Sequence, residues 1–377
     1  MLPSRLMAEP SPPEPGAPAQ RAKSTKVRPF EKGHLPDVIR LYEEVFGKKG
    51  ARDFAERWRW SQEENGFSAE TRRWSLLDGA RLVGFLATMP QRFRVAGHEV
   101  LVHSSCDFMV HPDYRFHGIS LMREYFRACD NCVSLDDMPA TIAVLKMMKA
   151  VPIDNAVRYV RALDGRVARE HVARLSRVPE LAFVPATWAL AAYDAGRALR
   201  LPDVEETPDF DVRFDRFFSA TLEARSISLV RDSTYLAWRY GPLSPHRSRT
   251  IGIVTDRQRE LDGYVVCATA ASRDDRSGYI FELHVRPGAP ASTFSALLTF
   301  ACRRLRRQGA RLARLHWIRS TTGVPEPILR ANRFARRAHQ HVLLVKFRDA
   351  ALQAAAAEAS RWDYGFGDAE ASHSVAT

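Results

Sequence analysis

Between residues 35 and 163 the apolar positions change their period twice. In LPDVIRLYEEVFG they fall at Val38, Ile39, Leu41, Tyr42 and Val45, the spacing of a helix with one buried face, and the pattern stops at Gly47. Strand-like runs follow: Trp74 to Leu77 and Leu82 to Thr88 flank an Asp78-Gly79 turn, and a further turn at Ala96-Gly97 leads into HEVLVHSSCDFMV. Three antiparallel strands in succession are predicted. After Gly118 the helical spacing returns at Ile119, Leu121, Met122, Tyr125 and Phe126. A short strand (Cys132 to Leu135) precedes a second helix opened by Pro139, and VRYVRAL (157–163) reads as the strand that closes this half.

The second half repeats the first. Trp238-Arg239-Tyr240 echoes Trp58-Arg59-Trp60, LDGYVVCAT echoes LVGFLAT, and Glu282-x-x-Val285-x-Pro287 echoes Asp107-x-x-Val110-x-Pro112, at offsets of 180, 179 and 175 residues. A domain-sized duplication is the economical explanation. The pattern divides the chain into a proline-rich tail (1–25) too poor in apolar residues to order itself, a first domain (26–164), a helical and acidic linker (165–211), a second domain (212–348) and a C-terminal tail (349–377).

At 377 residues, with 45% hydrophobic and 27% charged residues, both domains can bury a core. A net charge of +12 favours acidic partners, but the basic residues are scattered and the run Arg303 to Arg307 fits one solvated helix face, so nucleic acid is disfavoured. Five cysteines, an odd number in apolar surroundings, fit free thiols and a cytoplasmic location. Cys129 and Cys132 form one C-x-x-C, but no second pair completes a zinc site, and no metal is expected. No signal sequence is visible, and the longest apolar stretch, Ala182 to Tyr193, is too short to insert in a membrane.

The chemistry concentrates in VHPDYRFHGIS (110–120). A strand ends, a proline turns the chain, and Arg115-x-x-Gly118-x-Ser120 opens a helix. Unpaired amides and the helix dipole at such a start attract an anion, a glycine lets a pyrophosphate approach, and Arg115 can add charge. In this context the motif resembles the coenzyme A pyrophosphate loop of the GNAT superfamily of N-acyltransferases, Q/R-x-x-G-x-G/A, with Ser120 in place of the usual glycine or alanine. The order of elements resembles that fold also.

The resemblance implies an α+β protein of two tandem GNAT-like domains, each a mixed, mostly antiparallel sheet flanked by helices. It implies acetyl-CoA or another acyl-CoA as co-substrate, and as acceptor an amine of a small molecule, amino sugar or polymer precursor. The cofactor would be held by backbone near Met109 and Val110 and by the loop residues Arg115, Phe116, His117, Gly118, Ile119 and Ser120. His117 has the competing reading of a solvent-exposed side chain. Asp107, on the same strand, is the candidate catalytic base, with the alternative that it pairs with Arg115 or caps a bulge; Asp136 and Asp137 follow the next strand. The tyrosine acid that the family often supplies is missing from MPATIAVLKMMKA, which leaves water, Tyr125 or Tyr159. The second-half turn, Arg286-Pro287-Gly288-Ala289-Pro290, lacks R-x-x-G and two amide donors, so one cofactor site per chain is expected. Trp58, Trp60 and Trp238 fit core packing better than a ligand platform. Two other readings stand: an aminoacyl-tRNA-dependent peptidyltransferase of the peptidoglycan cross-bridge type, whose members generally lack R-x-x-G, and a non-catalytic scaffold. A homodimer is left open.

Overall fold

A computed structural model describes residues 24–153, 156–168, 177–222, 227–246, 248–270, 276–318, 323–338 and 341–373. Residues 1–23, most of the expected proline-rich tail, lie outside it. The first half runs β1 (Thr25–Pro29), α1 (Leu35–Trp58), β2 (Arg73–Asp78), β3 (Arg81–Val95), β4 (His98–Val110), α2 (Gly118–Ala128), β5 (Asn131–Asp136), α3 (Pro139–Met147), β6 (Val151–Ile153) and β7 (Ala156–Ala162). Then come α4 (Val184–Ala198), β8 (Glu205–Thr207), α5 (Val212–Thr221), β9 (Ile227–Leu229), α6 (Ser233–Arg239), β10 (Thr250–Thr255), β11 (Leu261–Thr269), β12 (Ser277–Val285) and α7 (Ala291–Arg307). The chain closes with β13 (Leu312–Ile318), α8 (Glu326–Ala331), β14 (Ala335–Arg337), β15 (Val342–Phe347), α9 (Ala350–Ala356) and β16 (Trp362–Asp363).

Among the described residues these strands make two mixed, mostly antiparallel sheets flanked by helices, as the sequence implied. The first sheet runs β1-β2-β3-β4-β5-β15-β6, with β9 on β3 and β16 on β9; the second runs β14-β7-β13-β12-β11-β10-β8. The predicted hairpins are present. Ala96 (φ 49°) and Gly97 (φ 86°) form a two-residue turn with both residues left-handed, the geometry that matches the twist of β3 and β4. The first helix bends where its apolar pattern stops, at Gly47 (φ 76°, ψ 176°), but continues on a second axis to Trp58. Along the main path of each sheet antiparallel strands are followed by one parallel pair, β4 with β5 and β12 with β13, and off that path β16 runs parallel to β9.

One expectation fails. The segment 157–163, read as the strand that closes the first half, forms β7 and pairs with β13 and β14 in the second sheet, while β15 of the second half lies between β5 and β6 in the first. The halves exchange their last strands, so neither sheet is complete without the other's chain. The repeated tryptophan motifs also meet: Trp60 and Trp238 stack at 5.0 Å, and each indole N–H donates to the other's carbonyl, at 2.8 and 3.0 Å. They pack the interface between halves, as core residues would. The acidic run near 205 contributes β8 to the edge of the second sheet, and of the segment expected as a tail the described residues 349–373 carry a helix and bury Trp362, Tyr364 and Phe366.

Candidate active site

The parallel pair β4–β5 is short. His103 faces Cys132 and Ser104 faces Val133, after which the strands separate and leave a wedge of about 390 Å³. Ser105 Oγ donates to Ser134 Oγ at 3.1 Å across its narrow end. From the other side α1 supplies Tyr42, Lys49, Asp53 and Arg57, and α3 closes the mouth with Thr141.

A bulge in β4 shapes the wall. Phe85 pairs with Met109 and Ala87 with Cys106, so Asp107 and Phe108 together oppose Leu86. Asp107 takes φ 53°, costly for a residue with a side chain and sustained here by its bonds. Its Oδ1 accepts from Arg57 Nη2 at 2.5 Å and from Tyr42 Oη at 2.8 Å. Burial works against the Arg57 charge, but Asp107, Tyr42 and Glu370 outweigh it and raise its pKa; burial and then Asp107 raise that of Tyr42. Asp107 thus lies within the bulge and pairs with Arg57 rather than with Arg115, the partner weighed from sequence.

The Asp107 N–H points into the wedge and donates to Glu370 Oε1 at 2.9 Å. Sequence reasoning missed Glu370, which lies 263 residues away in a segment without apolar periodicity. The signal available was WDYGF just before it, three aromatic residues in what was read as a tail. Burial, followed by the Asp107 charge, pushes the Glu370 carboxyl up to about 7. At the end of β5 burial likewise raises Asp136, whose Oδ1 accepts the Met138 N–H.

The expected cofactor loop is a 3-10 turn, Pro112–His117, running directly into α2. The Gly118 N–H donates to Arg115 O, and Asp113 N–H is capped by His111 Nδ1, so these amides are already bonded. Gly118 is helical, and a Cβ there would meet Phe108 Cζ and Val110 Cγ2, each at 3.1 Å. Its lack of a side chain therefore serves the packing of α2 on β4, a different use from the phosphate approach inferred from sequence. Arg115 is exposed, with Nε bonded to Pro112 O. Phe116 is 83% exposed, His117 is half-buried with Nδ1 2.7 Å from Thr25 Oγ1, and Ile119 and Ser120 are half-buried in the first turn of α2. Because His111 N–H donates to Val83 O, alternation along β4 turns the Met109 amide toward β3 and the Val110 amide toward the open side.

A coenzyme A thioester fits the wedge in part. Phe108, Met122 and the two serines make a slot of mixed polarity suited to a pantetheine arm. In this conformation the loop offers a diphosphate the Arg115 guanidinium more than a nest of amides.

The second sheet carries the equivalent wedge, and the chain fills it. After Ile280 and Leu315 the strands β12 and β13 part. Between them Trp317 bridges to Gly365, Ile318 N–H donates to Tyr364 O at 3.0 Å, and the Phe366 ring lies 4.8 Å from His316 and 6.3 Å from Phe281. Glu282, the counterpart of Asp107, also stands beside a bulge. It is buried with Arg231, Asp363 and Asp368: Arg231 bonds to all three carboxylates, and Tyr240 Oη donates to Glu282 Oε1 at 2.8 Å.

Residues 26–132 match the family model of the GNAT acetyltransferase domain. No curated protein matches the chain in sequence. Among solved structures, a probable N-acyltransferase of Enterococcus faecalis V583 superposes with a TM-score of 0.58 at 12% identity, covering 86% of this chain and 72% of that one. Saccharomyces cerevisiae N-myristoyltransferase with bound myristoyl-CoA gives 0.55 at 13%, covering 90% and 86%. A GCN5-related N-acetyltransferase from Anabaena variabilis gives 0.58 at 11%, covering 87% and 74%. At these identities the likeness is one of fold.

Proposed function

We propose that this chain, with a GNAT acetyltransferase domain match over residues 26–132 and the fold of tandem GNAT proteins, is an acyl-CoA-dependent N-acyltransferase with a single reaction site, in the wedge between β4 and β5. One observation carries the reading: of two equivalent wedges, the first is open and lined by polar groups, and the second is filled by residues 364–368. The fold relatives include a myristoyl-CoA complex and acetyltransferases, which supports the cofactor class.

Acyl-CoA, when bound, supplies the acyl group as a thioester. The residues of this chain place and polarise it. Ser105, Ser134, Phe108 and Met122 line the slot, the Val110 amide is on the correct side of β4 to donate to the arm or to a developing oxyanion, and Arg115 stands at the phosphate end. The Asp107–Arg57–Tyr42 network fixes α1 against β4, and so sets the width of the acceptor entrance. The acceptor is an amine that enters beside α1.

Isothermal titration with acetyl-CoA tests this. One molecule should bind per chain, raising stability by about 2.7 kcal/mol at a hundredfold excess over Kd. Two molecules per chain, or none of any acyl chain length, would overturn the reading.

A further inference from the structure

We propose that Glu370, carried into the first wedge by the C-terminal segment, is the group that takes the proton from the acceptor's ammonium. This rests on the N-acyltransfer reading above and adds its proton acceptor.

An amine that attacks a thioester must first be neutral, yet in water near pH 7 it arrives protonated. The wedge holds two carboxylates that could receive the proton, and their partners differ. Asp107 has committed Oδ1 to a guanidinium and a phenol at once. Glu370 accepts one backbone N–H, that of Asp107, and among the described residues it makes no ion pair. The titratable groups that line its wedge or act on it are Tyr42, Lys49, Asp53 and Arg57 from α1, Cys106 and Asp107 from β4 and Asp136 from β5. Lys49 is closed on Asp53 at 2.7 Å and Arg57 on Asp107, so neither cation neutralises Glu370 directly. Its surroundings hold the carboxyl at about 7, where it can accept a proton and release it again within each turnover.

The step balances simply. An ammonium N–H bond breaks with its electron pair remaining on nitrogen, an O–H bond forms on Glu370, and a charged pair becomes a neutral one. The result is a nucleophilic amine next to the bulge.

The placement also gives the second half a part in the reaction. Phe366 and Asp368 are anchored in the filled wedge, and the next turn, Glu370–Ser372, packs against β4 and β5. Arg239, buried, ties the same segment by donating to Gly367 O at 2.7 Å and Ala369 O at 2.7 Å. A wedge that cannot take a cofactor thus serves as the clamp that aims a side chain into the one that can.

Glu370→Gln tests the proposal, because the amide keeps an oxygen for the Asp107 N–H. In full-length protein with carboxyl-13C-labelled glutamate, one resonance should titrate near pH 7 in the parent and vanish in E370Q. Acetyl-CoA binding by calorimetry should be unchanged. Acetyl transfer to a mixture of spermidine, glucosamine and lysine should fall at least about a hundredfold, with loss of the limb of kcat/KM that rises through about pH 7. Full activity in E370Q with that limb intact overturns the assignment, as does a Glu370 carboxyl that titrates in the ordinary glutamate range. If the parent fails to bind acetyl-CoA, it is the acyltransfer reading that fails.

Discussion

Replacing Asp368 by asparagine should remove a defined part of the pH dependence of stability. Asp368 is fully buried, and its neighbours are one cation, Arg231, and two further carboxylates, Asp363 and Glu282. Burial outweighs Arg231 and, with Glu282 adding to it, pushes the carboxyl from 3.8 to about 6. At 1.36 kcal/mol per pH unit, the displacement corresponds to about 3 kcal/mol. The sign follows from the direction. A carboxyl whose pKa is raised on folding contributes stability that is fully present below the unfolded value near 3.8, and that stability is lost as pH rises through about 6. Asparagine cannot ionise, yet it keeps an oxygen for the Gly365 N–H that Asp368 Oδ2 now accepts at 2.8 Å. Urea denaturation at intervals from pH 4 to pH 8 reads the effect, and the exchange of β7 and β15 between the sheets makes one cooperative transition the expectation. Wild type minus D368N, at each pH, isolates this carboxyl, together with its coupling to Glu282, from Glu370. The difference should shift by about 2.5 kcal/mol between pH 4 and pH 8, the remainder falling below pH 4, against the wild type on the alkaline side. Parallel curves, or a difference of the opposite sign, would show that the ion pair with Arg231 dominates and would refute the reasoning.

Two other perturbations bear on the wedges. Gly118→Ala places a methyl group 3.1 Å from both Phe108 and Val110, and should cost about 1–3 kcal/mol in urea denaturation without any ligand; the cost should shrink in a Phe108→Leu background, and an unchanged cost there would mean that Phe108 is not what the methyl meets. Phe366→Ala leaves a cavity in the second wedge and should cost about 3–5 kcal/mol, with weaker acetyl transfer because the anchor of Glu370 is loosened; a variant of full stability would show that the wedge closes without the ring.

Much of the architecture was legible in the chain before any coordinates. Period-two runs bounded by Asp78-Gly79 and Ala96-Gly97 have one physical solution, the antiparallel strands β2 to β4, because side-chain alternation and turn chemistry are local. The helix opened by Gly118, the halves' common order of elements and the acid before V-x-P in each were likewise written in spacing. Asp107 could be singled out this way, since a carboxylate on the strand that leads into the Pro112 turn is visible from the residues alone, but its partners Arg57 and Tyr42 could not.

Tertiary structure decided what local pattern cannot carry. A strand's periodicity says that one face is buried but not which edge it joins, so β7 and β15 could be recognised as strands while their exchange stayed hidden. The same holds for Glu370: its position depends on Trp362, Tyr364 and Phe366 finding apolar partners in the second half, and that packing carries a carboxylate across 263 residues to the Asp107 amide. Even Gly118, read from sequence as a phosphate-approach residue, takes its packing reason from Phe108 and Val110 on the neighbouring strand. Sequence fixes what each segment can do; which segments share a surface is settled only when the buried faces compete for one another.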